Sequence, residues 1–264
     1  MPRHEIDIST GLTAAELSDV FQNNPRAYMA VRGAVAEKHL EKVIRNLKEE
    51  GEITDYNTAS GDMDKDFYIS YNGNILSIEC KNVEVAKITT KEAIVKYLKY
   101  LEDNNHISIT GLFQESGVVE QLINDMNKRD LDIIFKQVPQ KYRESGISRY
   151  KYSRSQVLTP NLTELNTSEF LQQFDNNPLT IDFKRTRNST DEDGDTRRNR
   201  FYRTDEIDIV AACVFSRTME WKFLFAKAQN FSIHEEYADR YSDKLSLRSD
   251  IWVSDIKELF QTYQ

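Results

Sequence analysis

The sequence predicts an α/β (α+β) fold, and three features of the residue pattern lead to this prediction. Apolar residues recur at helical spacing over 28–50, strand-like segments flank an Asn-Gly pair over 66–83, and further strand-like segments return over 206–228. With 264 residues, of which 39% are hydrophobic, the chain can bury one large core, alone or with a smaller subdomain. We therefore expect a single domain over residues 1–264.

The first expected elements are a polar N-terminal arm over 1–25, with a short helix near 13–21, and a long helix over 28–50. The apolar stripe of the long helix consists of Gly33, Ala36, Leu40, Val43, Ile44 and Leu47. Glu37 falls inside this stripe, where an ionised carboxylate is costly unless it is paired or bound to a metal. We interpret Glu37 as a candidate site residue. The alternative is a glutamate whose carboxylate reaches solvent at the edge of the stripe.

The segment "DFYISYNGNILSIECKNV", residues 66–83, predicts a β-hairpin, because an Asn-Gly pair separates two runs rich in aromatic and β-branched residues. Asn-Gly is the strongest short hairpin signal, since both residues accept the positive φ of a type I′ turn. Two loops remain open, Asn72-Gly73 and Gly73-Asn74. The choice between them decides which residues face each other across the strands.

Either loop brings an aspartate, a glutamate and a lysine together on one face of the hairpin. With the first loop Asp66 lies directly opposite Glu79, and with the second it faces Lys81 while Glu79 is its diagonal neighbour. Side chains two residues apart share a face of a strand, so Lys81 accompanies Glu79 and Cys80 points to the other face.

Like charges opposite each other destabilise a sheet, so the two carboxylates need a partner that offsets their repulsion. A divalent cation is the interpretation that we favour, and oxygen ligands of this kind suit Mg²⁺. In the absence of metal, deletion of either carboxylate is expected to relieve the repulsion. The alternative is a solvated sheet face that carries a Lys–Glu pair and a separate aspartate.

Asp66, then twelve residues, then Glu79-Cys80-Lys81 resembles the motif of the PD-(D/E)XK nuclease superfamily, which includes most type II restriction endonucleases. Lys65 stands where the family has a proline. The segment "RGAVAEKHLEKVI" is similar to the family's helix before the hairpin, and Glu37 matches that helix's glutamate. The resemblance covers about half of the chain and is firm over residues 33–83.

The resemblance implies a restriction-endonuclease-like three-layer α/β/α core around a mixed β-sheet, with an inserted helical or irregular subdomain. It implies that Asp66 and Glu79, with the backbone carbonyl of Cys80, bind Mg²⁺, for which Mn²⁺ substitutes. Glu37 is then an auxiliary ligand, directly or through water. Lys81 is expected to orient the attacking water and to stabilise negative charge on the phosphate.

The triplet Glu/Asp-x-Lys alone has little specificity, since it also begins at Asp182, Glu220 and Asp255. Glu220 is the serious rival, because Asp208 precedes it by almost the same interval. Glu220, however, lies next to the turn between its two strands, and Asp208 lies at the far end. At about 3.3 Å per residue, they are separated by roughly 20 Å or more.

The remaining elements divide the chain into three further parts. We predict a catalytic unit of one helix and three strands over 26–102, an inserted recognition subdomain over 103–178, and a return of core strands with a C-terminal helix over 179–264. The expected elements after the hairpin are helices at 91–101 and 118–128 and strands at 107–112, 131–138, 179–186, 206–215 and 221–228. The segment "IDFKRTR" is similar to a core strand of one group of restriction endonucleases, in which a polar residue, here Lys184, lies beside the active site.

Two basic clusters predict a DNA-binding surface despite the net charge of −8. Residues 141–155 carry five basic residues against Glu144, and residues 184–203 carry seven around the acidic loop 191–195. Next to a candidate phosphodiester site, such clusters are expected to contact phosphates and bases. The alternative is a pair of solvated loops. We assign DNA binding to Lys184, Arg185, Arg187, Arg197, Arg198, Arg200, Arg149, Lys151 and Arg154.

Composition excludes several other classes of protein. The chain has two cysteines and four histidines without the spacing of a zinc site, and it lacks an apolar run of the ~20 residues that a membrane span needs. The N-terminus lacks the apolar region of a signal peptide. Cys80 and Cys213 each lie in an apolar strand-like segment, so we expect buried thiols in a reducing cytoplasm.

Together these features predict a Mg²⁺-dependent, sequence-specific double-strand DNA endonuclease, a type II restriction enzyme that leaves 5′-phosphate and 3′-hydroxyl ends. Such enzymes commonly act as symmetric homodimers on palindromic sites, and a cognate DNA methyltransferase is expected as a genetic rather than a physical partner. One alternative is a repair or recombination nuclease of the same fold, which reads DNA structure. The other is a DNA-binding protein without catalysis, against which the intact Asp, Glu and Lys argue.

Overall fold

The structure is a computed structural model and describes most of the chain, in ranges separated by gaps. The described residues are 10–60, 65–84, 90–103, 105–139, 162–175, 178–185, 195–218 and 220–263. The chain forms two compact units, which are residues 1–32 with 85–158 and residues 33–84 with 159–264. Residues 85–102, which we assigned to the catalytic unit, thus belong to the first unit.

The helices and strands have the following bounds in the described residues. The helices are α1 (Ala14–Asn23), α2 (Pro25–Glu49), α3 (Lys91–Asp103), α4 (Ile109–Ser116), α5 (Lys128–Gln137), α6 (Thr167–Gln172), α7 (Phe215–Thr218) and α8 (Lys257–Phe260). The strands are β1 (Asp55–Thr58), β2 (Phe67–Tyr71), β3 (Asn74–Asn82), β4 (Thr180–Asp182), β5 (Ile209–Cys213), β6 (Phe223–Lys227) and β7 (Lys244–Ser246).

The first unit is helical where it is described, and here three of the predicted elements are wrong. The strand predicted at 131–138 is helix α5, which buries Leu131 and Ile134 at helical spacing and begins after the capping side chain of Asn127. The strand predicted at 107–112 is largely helix α4, and the helix predicted at 118–128 is a turn-rich connection. Apolar residues of α3, α4 and α5 share one core, so tertiary packing overrides the short β-like runs.

The second unit is built on a five-stranded mixed sheet with the strand order β1-β2-β3-β5-β6. Strands β1, β2 and β3 are antiparallel, β3 and β5 are parallel, and β5 and β6 are antiparallel. The predicted mixed α/β fold is confirmed at this level, as is the arrangement of one helix followed by three strands. Strand β4 is shorter than predicted and pairs with β7 in a separate two-stranded sheet.

The two faces of the main sheet are covered by different elements. One face packs against α2, whose Ala36, Leu40, Ile44 and Leu47 form a core with Ile78 and Cys80 of β3 and with residues of β5, β6 and α8. The other face packs against residues of α6, β4 and β7. Cys80 and Cys213 are buried free thiols, as predicted.

Hydrogen bonds between Asp208, just before β5, and Ser77 of β3 form a clamp that positions residues 201–207. The carboxylate of Asp208 accepts hydrogen bonds from the backbone N–H of Ser77 at 2.8 Å and from its hydroxyl at 2.9 Å. Because Asp208 is tied to β3, residues 201–207 run close to the central strand. This segment carries two side chains of the candidate site, Tyr202 and Glu206.

Candidate active site

The hairpin adopts the first of the two registers left open by the sequence. Tyr71 pairs with Asn74 and Phe67 pairs with Ile78, so Asn72-Gly73 is the loop. Asn72 has a φ of 48° and Gly73 a φ of 79°, as a type I′ turn requires. Extending the register by one residue places Asp66 across from Glu79.

Asp66 lies just beyond the last ladder pair, and its side chain binds the neighbouring strand. Its Oδ2 accepts a hydrogen bond of 2.7 Å from the backbone N–H of Cys80. This amide is a structural partner that the repulsion argument did not include. Because the N–H and C=O of a strand residue face the same neighbour, the Cys80 carbonyl faces the Asp66 side of β3 as well. The Cys80 thiol belongs to the core on the other face, where burial raises its pKa well above the ordinary value.

Glu79 is 5% exposed and is held by two donors. Its Oε1 accepts hydrogen bonds from the Lys81 ammonium group at 2.5 Å and from the phenol of Tyr202. Burial alone lowers the pKa of Lys81, but the Glu79 carboxylate outweighs this effect and the pKa is raised, so the lysine stays charged. Burial and the same carboxylate raise the pKa of the Tyr202 phenol, which therefore remains a donor.

Glu37 on α2 lies near enough to Lys81, Glu79 and Asp66 to interact with their charges. Its side chain is half-buried, and burial raises its pKa, with Glu79 adding to the shift and Lys81 opposing it. Asp66 is perturbed in the same direction. Burial and the charge of Glu79 raise the pKa of Asp66 to about 7, although Lys81 and the Cys80 amide favour its ionised form. Burial is thus the main cause of both shifts, and the charge of Glu79 adds to each of them.

A second layer of charged groups surrounds the ring of Tyr202. The charged groups of Lys81, Lys65 and Arg185 lie 5.2, 5.7 and 5.0 Å from the ring centroid. Both oxygens of Glu206 accept hydrogen bonds of 2.6 Å from Arg185, and Lys65 approaches the same carboxylate at 3.6 Å. Glu206 therefore fixes two of the three cations.

Sequence reasoning missed Tyr202, Lys65 and Glu206 as members of this cluster. Tyr202 lies 123 residues from Glu79 in the chain, and the sequence carries no local signal that joins them. Lys65 was in view, because it precedes Asp66 and takes the position of the family's proline. A lysine directly before the motif aspartate was therefore a usable signal.

The predicted DNA-binding residues that are described form ion pairs within the protein in most cases. Lys184 lies 3.2 Å from a carboxylate oxygen of Asp182 and 3.5 Å from one of Asp243. Arg197 pairs with Glu236 at 3.4 Å and Arg198 with Asp239 at 2.6 Å. Arg185 is bound by Glu206 and is mostly buried, and Arg200 is half-buried. Arg149, Lys151, Arg154 and Arg187 lie outside the described residues.

The rival motif does not assemble a site. Asp208 lies just before the start of β5, where its carboxylate accepts a hydrogen bond from Ser77 of β3. Glu220 follows the end of β5 and pairs with Lys222 at 2.8 Å. In the β5–β6 register, Ile209 pairs with Lys227 and Cys213 with Phe223, so the two acids lie at opposite ends of the strand pair.

The donor set fits a hard divalent cation such as Mg²⁺. Among the described residues, the hydrogen bonds to the Asp66 carboxylate reach Oδ2, and those to the Glu79 carboxylate reach Oε1. One oxygen thus orients each carboxylate, and the other oxygen can bind a ligand. Within the described residues, no group of three or more His, Cys, Asp or Glu side chains is arranged to hold a metal ion. Mg²⁺ typically takes one or two carboxylates and completes its shell with water and substrate phosphate, so two suffice.

Comparison of the chain with protein-family models, with curated proteins and with solved structures found no match. Among the helices of the described part of the chain, none is long and apolar enough to cross a membrane.

Proposed function

We propose that this protein is a Mg²⁺-dependent double-strand DNA endonuclease with a restriction-endonuclease-like fold, and specifically a cytoplasmic type II restriction enzyme. One observation carries the proposal. Asp66 and Glu79 come from adjacent hairpin strands, are each oriented through one oxygen, and share their surroundings with Lys81 and Glu37. This combination of acids and one cation is suited to hydrolysis of a phosphodiester.

Each residue has a distinct part in the proposed reaction. Asp66, Glu79 and the Cys80 carbonyl would hold Mg²⁺, which supplies Lewis-acid activation of the phosphate and of the attacking water. Water attacks the scissile phosphorus in line with the departing 3′ oxygen, a proton passes from the water to solvent, and the 3′ oxygen takes up a proton, which leaves a 5′-phosphate end and a 3′-hydroxyl end. The Lys81 ammonium stabilises the negative charge that develops on the phosphate oxygens, and Glu79 fixes its position.

Digestion of a plasmid of known sequence with Mg²⁺ tests the proposal. Discrete fragments, absent when EDTA replaces the metal, are the expected result. A smear indicates a nuclease that reads DNA structure, which retains the chemistry but not the sequence specificity. An intact plasmid at every Mg²⁺ and Mn²⁺ concentration contradicts the catalytic proposal and favours a protein that only binds DNA.

The same proposal includes a symmetric homodimer on a palindromic site and a methyltransferase gene nearby. Sedimentation velocity with a cognate duplex tests the first of these. A single protomer that makes double-strand cuts on its own contradicts the dimer without affecting the chemistry.

A further inference from the structure

Tyr202 occupies a position beside the hairpin that the proposed reaction does not yet use. Its phenol donates to Oε1 of Glu79, the same oxygen that Lys81 approaches at 2.5 Å. Tyr202 is 4% exposed and Glu79 is 5% exposed, so water does not readily replace the phenol as a donor. Two converging donors fix the carboxylate more tightly than Lys81 could fix it alone, because a lysine side chain is long and flexible.

The ring of Tyr202 is itself held in place from several directions. It packs on Phe183, with ring centroids 4.7 Å apart. The cations of Lys65 and Arg185 lie near the ring, and Glu206 binds both of them. A cation within about 6 Å of a tyrosine ring centroid is attracted to it. The phenol is therefore a preorganised donor whose position depends on groups outside the hairpin.

We propose that Tyr202 is a positioning residue that holds the Glu79 carboxylate in the orientation needed to bind the divalent cation. This inference rests on the proposed function. Tyr202 acts through Glu79 and does not touch the phosphate, so its loss weakens metal binding without removing the chemistry. Partners that orient a metal ligand typically contribute 10–100-fold in metal affinity.

The substitution Tyr202→Phe tests this role, because it removes the hydroxyl and keeps the ring. Tyr241→Phe is the matched control. Tyr241 is also buried and also lies near Phe183, at 5.9 Å between centroids, but its hydroxyl donates to the backbone carbonyl of Thr204 at 3.1 Å. Mn²⁺ binding to each DNA-free protein is measured by titration, and the melting temperature of each metal-free variant is recorded.

We expect Tyr202→Phe to weaken Mn²⁺ binding by about 10–100-fold, and Tyr241→Phe to remain within about twofold of the wild-type protein. In cleavage assays, the Mg²⁺ concentration for half-maximal rate should rise by the same factor in Tyr202→Phe, and excess Mg²⁺ should restore the rate. Lys81→Ala should remain at least about 100-fold slower than the wild-type protein at every Mg²⁺ concentration.

Equal metal dependence of Tyr202→Phe and the wild-type protein, in both assays, overturns the role of Tyr202 and leaves the proposed function intact. An equally large loss in Tyr241→Phe also overturns it, because the effect is then that of any lost buried hydroxyl. A wild-type protein that neither binds Mn²⁺ nor cleaves DNA contradicts the proposed function, and the role of Tyr202 falls with it.

Discussion

The pKa of Asp66 is set by opposing effects of burial and of neighbouring groups. Burial and Glu79 disfavour its charge, whereas the Cys80 amide and Lys81 favour it, and the net effect raises its pKa to about 7. The folded protein thus keeps a proton on Asp66 at pH values where the unfolded chain has released it. The free energy of unfolding should therefore fall as the pH rises from about 4 to about 7, by at most ~1.4 kcal/mol per pH unit.

The metal-free variant Asp66→Asn should lack this part of the pH dependence, because the amide does not titrate. It keeps an oxygen that can accept from Cys80, so at pH 8 it should be more stable than the wild-type protein. Asp66→Ala should be less stable than Asp66→Asn by about 1–3 kcal/mol, since the Cys80 amide loses its acceptor. Urea unfolding between pH 4 and 8 measures all three, and parallel pH profiles for the wild-type protein and Asp66→Asn contradict the account.

Arg185 illustrates how burial changes the role that a residue type suggests. The sequence assigned it to DNA, but its guanidinium binds Glu206 through two 2.6 Å hydrogen bonds and has only 14% of its side chain exposed. Arg185→Ala should lower the free energy of unfolding by about 3 kcal/mol, because a mostly buried carboxylate loses its main partner.

Arg197→Ala is the matched control, since that side chain is 68% exposed and pairs with Glu236 on the surface. Its stability should change by no more than about 0.5 kcal/mol, and if Arg197 contacts a phosphate, the slope of log K against log salt should fall by about one. A stable Arg185→Ala protein with a reduced salt slope would contradict this structural role and support the predicted contact of Arg185 with DNA.

At the level of the secondary structure elements, the Asn72-Gly73 turn fixes the hairpin register that places Asp66 across from Glu79. Gly73 has a φ of 79°, a conformation that side chains disfavour, so Gly73→Ala should destabilise the protein by about 1–2 kcal/mol. Gly33 lies in helix α2, and apart from its chain neighbours and the backbone of the helix itself, no atom of the described residues lies within 4 Å of the Cβ that a substitution adds. Gly33→Ala should therefore stabilise by up to ~1 kcal/mol. The urea midpoint of Gly73→Ala should be lower than that of the wild-type protein, and the midpoint of Gly33→Ala should be higher. Midpoints that both rise or both fall contradict this prediction.

Elements with a strong local signal were predictable from the sequence, and elements defined by tertiary packing were not. The Asn-Gly turn, the stripe of α2 and the face shared by Glu79 and Lys81 follow from periodicity and turn chemistry. The run "LDIIFKQV" is too short for periodicity to distinguish a buried helix from a strand. Its helical state depends on packing against α3 and α4, the two helices that precede it in the chain.

At the scale of the molecule, the part of the site that sequence reasoning missed is the part assembled over long range. Tyr202 and Glu206 reach the hairpin because Asp208 ties the start of β5 to Ser77 of β3. No spacing rule in the chain encodes this clamp. The net charge of −8 likewise does not predict the charges at the site, which depend on which acidic and basic side chains the fold brings together there.

The hairpin acids and Lys81 are proposed to form a hydrolytic active site, and single-turnover DNA cleavage is the decisive test of this proposal. Lys81 and Lys222 provide a matched pair, because each closes a Glu-x-Lys triplet and pairs with its glutamate, at 2.5 and 2.8 Å. We predict that Lys81→Ala lowers the cleavage rate by at least about 100-fold with DNA affinity nearly unchanged, whereas Lys222→Ala cleaves at the wild-type rate. A Lys81→Ala protein that cleaves within a few-fold of the wild-type rate contradicts the proposal.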